Sequence, residues 1–301
     1  MKYKFLIILS IIFTINFANS MNIPVSKGWF EEDKINEYTL GEMETAPKYI
    51  VIHQTRAHTE DGKDYIEELK NTVRRRKVSF HYFIDIKGNI HHILDDKYKA
   101  CHAGSSFWNG DYSLNHNSIG IEILTTNPFT KGISRAQYKN LIALVKDLMK
   151  KYNIPQQNIL GHSDIGIFDK NKMQNDEMSE MSELLNRKQD PSHLFSWKIL
   201  AKNGVGLWYN DSFLRKELKK DVRIQFYLAT KSEDIKTVRE KLNKLGYKIN
   251  VNDKFDMEFY MASIVFHRRF FPQYYTLASS GYWSFLSTRV LDEVLKSYNI
   301  K

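Results

Sequence analysis

Two histidines close short apolar runs rich in β-branched residues. His53 follows Lys48-Tyr49-Ile50-Val51-Ile52, and His162 follows Ile159-Leu160-Gly161. An imidazole at the end of a strand can ligate a metal or carry a proton. Asp190 stands in Lys188-Gln189-Asp190-Pro191. Two neutral imidazoles and a carboxylate, with water in the fourth position, make a tetrahedral catalytic zinc site. The three residues are far apart in the chain, and no local ligand motif groups them. Taken singly, each histidine is more often a satisfied core or surface residue than a ligand. Glu122 lies inside the β-rich run Ser118–Leu124. It reads as an edge-strand carboxylate or as a functional acid, because a lone buried charge is costly unless paired.

The elements that must position these residues are legible as patterns. Lys48–His53, Ser79–Ile86, Ile90–Leu94 and Ser118–Leu124 read as strands, and Lys87-Gly88-Asn89 joins the middle two with hairpin chemistry. Residues 62–75 and Arg135–Tyr152 read as helices. The second carries Leu141, Leu144, Val145 and Leu148 at helical spacing and stops before Pro155. Strands alternating with helices predict an α/β fold, a mixed central sheet flanked by helices. Residues 166–187 are polar and Met-bearing and read as a surface insertion. Residues 203–225 read as a linker and the start of a second unit. Three helices follow, over 235–245, 259–270 and 288–298, which predicts a small three-helix C-terminal domain.

The chain has 301 residues, with Lys+Arg 44, Asp+Glu 35 and one cysteine. Its length suits two domains, expected as 22–210 and 211–301. The abundance of aromatics (Tyr 17, Phe 18, Trp 5) excludes a disordered chain. Cys101 alone permits neither an internal disulfide nor a thiolate metal cluster. Residues 211–301 carry 17 basic against 11 acidic side chains, whereas 22–210 is nearly balanced. Such an excess favours a polyanionic partner, or is simply a solvated lysine-rich surface. Lys2 and Lys4 precede the apolar run Phe5–Ile15, and Ala18-Asn19-Ser20 supplies small residues at a cleavage site. Residues 1–20 therefore read as a signal peptide rather than an anchor, the run being short of the ~20 apolar residues that a span needs. No cysteine near residue 20 allows a lipid anchor, and the mature form is expected to have no integral membrane span. The expected location is periplasmic or secreted, which disfavours nucleic acid as a partner.

Six segments occur in a telling order. They are Tyr49–His53; Ser79-Phe80-His81-Tyr82-Phe83-Ile84-Asp85 with Gly88; His102-Ala103-Gly104; Asn117-Ser118-Ile119-Gly120-Ile121-Glu122; Gly161-His162-Ser163-Asp164-Ile165; and Lys188–Pro191, followed by Phe195-Ser196-Trp197. Over roughly residues 45–205 the chain resembles the zinc-dependent N-acetylmuramoyl-L-alanine amidases, whose fold is shared with peptidoglycan recognition proteins. The exported two-domain layout is most similar to the periplasmic branch. The resemblance implies Zn2+ held by His53, His162 and Asp190. It implies Glu122 as general base and Lys188 as oxyanion stabiliser, with His102, Asn117 and Trp108 lining the substrate groove. His81 is expected to be structural, and His193 is a weaker rival for the metal. The stretch between His162 and Asp190 is longer than the resemblance leads one to expect. The second unit resembles a three-helix peptidoglycan-binding domain through Val238, Leu242, Leu245-Gly246-Tyr247, Val265-Phe266 and Arg269-Phe270, among others. The implied activity is hydrolysis of the bond between N-acetylmuramic acid and L-alanine. The alternative is a peptidoglycan-recognition protein without turnover.

Overall fold

The computed structural model describes residues 21, 23–24, 28–30, 34–56, 65–127, 130–167, 188–220, 232–272 and 283–300. The leader read at 1–20 and residues 168–187 of the expected insertion lie outside the described residues, as do 62–64 of the first expected helix. The strands are β1 (Thr39–Glu42), β2 (Tyr49–Arg56), β3 (Tyr82–Ile84), β4 (Ile90–His92), β5 (Tyr98–Ala100), β6 (Phe107–Trp108), β7 (Asp111–Tyr112), β8 (Ser118–Thr125) and β9 (Ile159–Gly161). The helices are α1 (Ile35–Tyr38), α2 (Tyr65–Arg76), α3 (Arg135–Tyr152), α4 (Trp197–Ala201), α5 (Asp211–Lys220), α6 (Ser232–Leu245), α7 (Met257–Phe270) and α8 (Phe285–Ser297). Among the described residues no helix is long and apolar enough to cross a membrane.

Five strands form the central sheet in the order β4-β3-β8-β2-β9. The four strands β3, β8, β2 and β9 are parallel, and β4 folds back antiparallel on β3. This is the mixed sheet that the alternating pattern predicts. Its middle strands are buried on both faces, as parallel strands covered by helices must be. Ile50, Val51, Ile52, Ile119, Ile121 and Ile123 are all fully buried. Asp85 closes the hairpin turn by accepting from the backbone amides of Lys87 and Asn89.

Helix α3 starts at a capping box, with Ser134 and Gln137 satisfying each other's backbone amides. The same Gln137 side chain donates to the carbonyls of Asp85 and Leu124, tying the helix start to the sheet. The face carrying Leu141, Leu144, Val145 and Leu148 is buried, as the spacing predicts.

The three expected C-terminal helices are present as α6, α7 and α8, preceded by a further helix, α5. The linker reading of 203–225 needs correction over its first half: Val205, Leu207, Trp208 and Tyr209 are buried in the core that runs from the sheet into the C-terminal helices. One of the contacts between the two parts of the chain is especially tight. Asn109 donates its backbone amide to the Gly246 carbonyl at 2.9 Å. Gly246 has φ +125°, and a Cβ there would sit 2.4 Å from the Trp108 indole. Only glycine meets both conditions. Gly246→Ala should destabilise the protein by about 2–4 kcal/mol, combining overpacking with backbone strain. Denaturant titration checks this, and an unchanged midpoint would mean that the contact is loose.

Candidate metal centre

The sheet register brings the first pair together. In the β2–β8 pairing His53 lies opposite Glu122, and in the β2–β9 pairing Ile52 lies opposite Gly161. His162, the next residue, is thereby delivered beside His53, and the two rings lie 4.4 Å apart. Asp190 arrives on the segment after the insertion. Its backbone carbonyl accepts from the Ser163 amide at 2.7 Å, and the nearby Ser192 amide donates to the Gln54 side chain of β2 at 2.6 Å.

Both imidazoles turn Nδ1 toward this one carboxylate. His53 Nδ1 lies 3.2 Å from Asp190 Oδ2, and His162 Nδ1 lies 3.1 Å from Oδ1. One donor atom from each residue falls within 4.8 Å of the others, the one such trio among the described residues. His193, the rival, is not in it. Glu122 Oε1 lies 3.9 Å from His53 Nδ1, and Glu122 Oε2 is buried without a hydrogen-bond partner.

A hydrogen-bond chain fixes the His53 tautomer. Ser118 donates its hydroxyl to the Leu114 carbonyl at 2.5 Å, so its oxygen can only accept from His102 Nε2, 3.2 Å away. His102 Nδ1 must then accept from His53 Nε2 at 3.0 Å. This leaves a lone pair on His53 Nδ1, aimed at Asp190 and the centre. Relays of this kind orient metal-ligating imidazoles. Gly120 makes room for the relay, since a Cβ on it would lie 2.6 Å from the His102 ring.

The ionisation states suit a cation. Burial and the neighbouring His162 push His53 down to about 4, so it is neutral at neutral pH. Burial alone would raise Asp190, but His162 and His53 outweigh it and hold the carboxyl well below its usual range. Burial, then Asp190, raises Glu122 well above the ordinary carboxyl value. Deprotonated ligands are what metal binding requires. Two imidazole nitrogens and one carboxylate oxygen form a donor set of the zinc type.

The remaining expected residues fall in different places. Lys188 stands at the rim, donating to the carbonyls of Ala103 (2.8 Å) and Ser105. Its charge is felt at His53, whose protonation it disfavours. His102 lies against His53 as its hydrogen-bond partner. Trp108 departs from the groove reading: it is 3% exposed, with its ring edge-on to Tyr247 at 5.0 Å, because the C-terminal helices cover it. Asn117 sits apart from the trio, with its side-chain amide on Asp111 at 3.2 Å. His81 is structural as expected, accepting from the Gly120 amide and bonded to the Tyr98 carbonyl. Sequence reasoning missed the roles of Ser118 and Gly120. The signal was present: Ser118, Gly120 and Glu122 alternate with isoleucines, so all three share one face of β8.

Residues 43–192 match the family described as N-acetylmuramoyl-L-alanine amidase, and this segment of the chain belongs to that family. The chain is 29% identical over 220 residues to the N-acetylmuramoyl-L-alanine amidase AmiD of Escherichia coli K12, covering 67% of each chain. It is 34% identical over 110 residues to the 1,6-anhydro-N-acetylmuramyl-L-alanine amidase AmpD of Enterobacter cloacae, covering 36% of this chain and 46% of that one. Among solved structures, that of E. coli AmiD with anhydro-N-acetylmuramic acid-L-Ala-D-gamma-Glu-L-Lys superposes with a TM-score of 0.63 at 25% identity, covering 85% of this chain and 91% of that one. AmpDh3 of Pseudomonas aeruginosa shares the fold, with a TM-score of 0.62 at 23% identity over 84% of this chain and 92% of that one.

The shifted groups set a pH dependence for the metal-free protein. His53 and His81 fall to about 4, and His267 falls to about 3, chiefly by burial. The unfolded chain takes up these protons first, so stability should drop as pH falls from about 6.5 toward 4. Glu122 has the opposite sign: its raised value weakens the fold as pH rises above the ordinary carboxyl range. Glu122→Gln should therefore raise the metal-free melting temperature at pH 7 and narrow that gain at pH 5. Thermal melts at the two pH values check both signs.

Proposed function

We propose that this protein hydrolyses the amide between N-acetylmuramic acid and L-alanine in peptidoglycan or its fragments, with zinc held by His53, His162 and Asp190. The observation that carries this reading is the convergence of two imidazole Nδ1 atoms on one carboxylate, with the unpartnered oxygen of Glu122 beside them. The similarity to AmiD, whose structure holds an anhydromuramyl peptide, supports the substrate class.

When bound, zinc supplies Lewis-acid polarisation of the scissile carbonyl and of the attacking water. Glu122 does the proton work. It takes a proton from the water as the oxygen adds to the carbonyl carbon, and it gives that proton to the alanine nitrogen as the C–N bond breaks. A carboxyl raised by burial suits both halves, since it holds the proton between the two steps. Lys188, anchored on the 103–105 loop, brings a fixed positive charge to the side where the oxyanion develops. His102 holds His53 in the ligating tautomer.

The C-terminal part, with 17 basic against 11 acidic side chains over 211–301, holds the enzyme on peptidoglycan in this reading. Such tethering raises the local enzyme concentration without new contacts at the reacting bond. The site of action is the periplasm or the exterior, the leader at 1–20 directing export.

Mass spectrometry of muropeptides incubated with the mature protein tests the reading. Free stem peptides beginning at L-alanine should appear, vanish with a chelator and return with zinc. Intact muropeptides under every condition would contradict it and favour a recognition protein without turnover.

A further inference from the structure

The three ligands are not equally secured. His53 sits inside β2, between two parallel neighbours. His162 and Asp190 lie outside regular strands, one in the turn that follows β9 and the other in the loop after the 168–187 stretch. A segment without a hydrogen-bond ladder needs other anchors to hold a side chain to within a few tenths of an ångström.

Those anchors come from the far end of the chain. Arg269, near the end of α7, is 3% exposed and pairs with Asp164, whose side chain is 1% exposed. A second nitrogen of the same guanidinium donates to the Ile159 carbonyl at 3.2 Å. The guanidinium also lies 3.9 Å over the Trp197 ring, which packs against Gly161. Asp164 passes the restraint on: its Oδ2 accepts from the Gly161 amide at 2.8 Å, next to His162. Its Oδ1 accepts from the Tyr247 hydroxyl at 3.3 Å, so α7 and the residues after α6 grip the same carboxylate. The neighbouring Arg268 donates to the Lys188 carbonyl at 3.4 Å, two residues before Asp190. Finally, the Ser163 amide donates to the Asp190 carbonyl, joining the two ligand segments.

We propose that Arg269, acting through Asp164, is a positioning residue for the metal centre, and that the C-terminal helical unit completes this centre as well as serving as a tether. The proposal rests on the metal-centre reading above. A forked guanidinium is required, because it reaches Asp164 and the Ile159 carbonyl together while stacking on Trp197. A lysine ammonium is a point charge that cannot do all three. Helix α7 thus fixes one ligand turn directly and the other through Arg268 and Ser163.

The test uses the full mature chain with Arg269→Lys, and with Tyr247→Phe as a milder variant that keeps the ring against Trp108. Three readouts are compared with wild type: zinc affinity by chelator competition, the d–d absorption of the cobalt-substituted protein, and amide hydrogen exchange without metal. Arg269→Lys should weaken zinc binding about 10- to 100-fold, the usual cost of losing an outer-shell partner. It should change the cobalt spectrum and speed exchange over 159–165 while leaving β2 protected. Tyr247→Phe should move all three in the same direction, but less. Wild-type affinity, spectrum and exchange in a folded Arg269→Lys protein would overturn the proposal. A general loss of fold would instead speed exchange in β2 as well, and would also count against it. If wild type itself bound no zinc at His53, His162 and Asp190, the metal-centre reading would fail. The exchange comparison would then still judge the brace.

Discussion

Asp190 offers its two carboxylate oxygens to two imidazoles, at 3.2 and 3.1 Å, in a site largely closed to water. Everything nearby can be understood as managing that concentration of polar groups. An ionised carboxylate in such a place is tolerated only if it is paired or coordinated. The sheet supplies one partner from the middle of β2 and delivers the second just beyond the end of β9. The adjacent strand then adds Glu122, an acid whose carboxyl is raised by the same burial. In the proposed function a cation would join the three ligands, and the raised acid would do the proton transfer. Ligand burial, tautomer and acid strength are therefore consequences of one arrangement.

The arrangement costs stability. Burial lowers His53, His81 and His102 and raises Glu122, so protonating these imidazoles or ionising this carboxyl weakens the fold. Buried isoleucines across the sheet and the face of α3 offset that cost. The local contacts show the same economy: Gly120 gives up its side chain so that His102 can lie against β8, and Gly161 does so beneath Pro191 and Trp197.

The central sheet was legible in the sequence because β-branched runs are hard to place elsewhere, and α3 was legible from its periodic leucines. The trio His53, His162 and Asp190 was not legible from spacing: only the resemblance grouped these residues, since their proximity arises from parallel register between strands far apart in the chain. Trp108 was misjudged for a related reason. The resemblance put it in the groove, whereas Gly246 and Tyr247, just after α6, pack against it. His102 was placed in the groove because its motif was visible, whereas its partner Ser118 became meaningful only through the hydrogen-bond chain. Asp164 and Arg269 were noticed as pattern residues, but a contact between segments so distant leaves no local trace.

The C-terminal helices have two roles in the proposed account. Their lysines present charge outward, while Arg269 and Tyr247 point inward to the turn that bears His162. The core that runs unbroken from the sheet through Val205–Tyr209 into these helices makes the second role possible. A freely swinging wall-binding module could not hold a ligand turn in place.

The central claim is that His53, His162 and Asp190 hold the metal while Glu122 moves the proton. Parallel measurement of zinc content and muropeptide cleavage in Glu122→Gln tests it most directly. The account predicts one equivalent of zinc and a cleavage rate lower by about 10²- to 10⁴-fold, the range for losing a general base. Full zinc content with cleavage at the wild-type rate would contradict it.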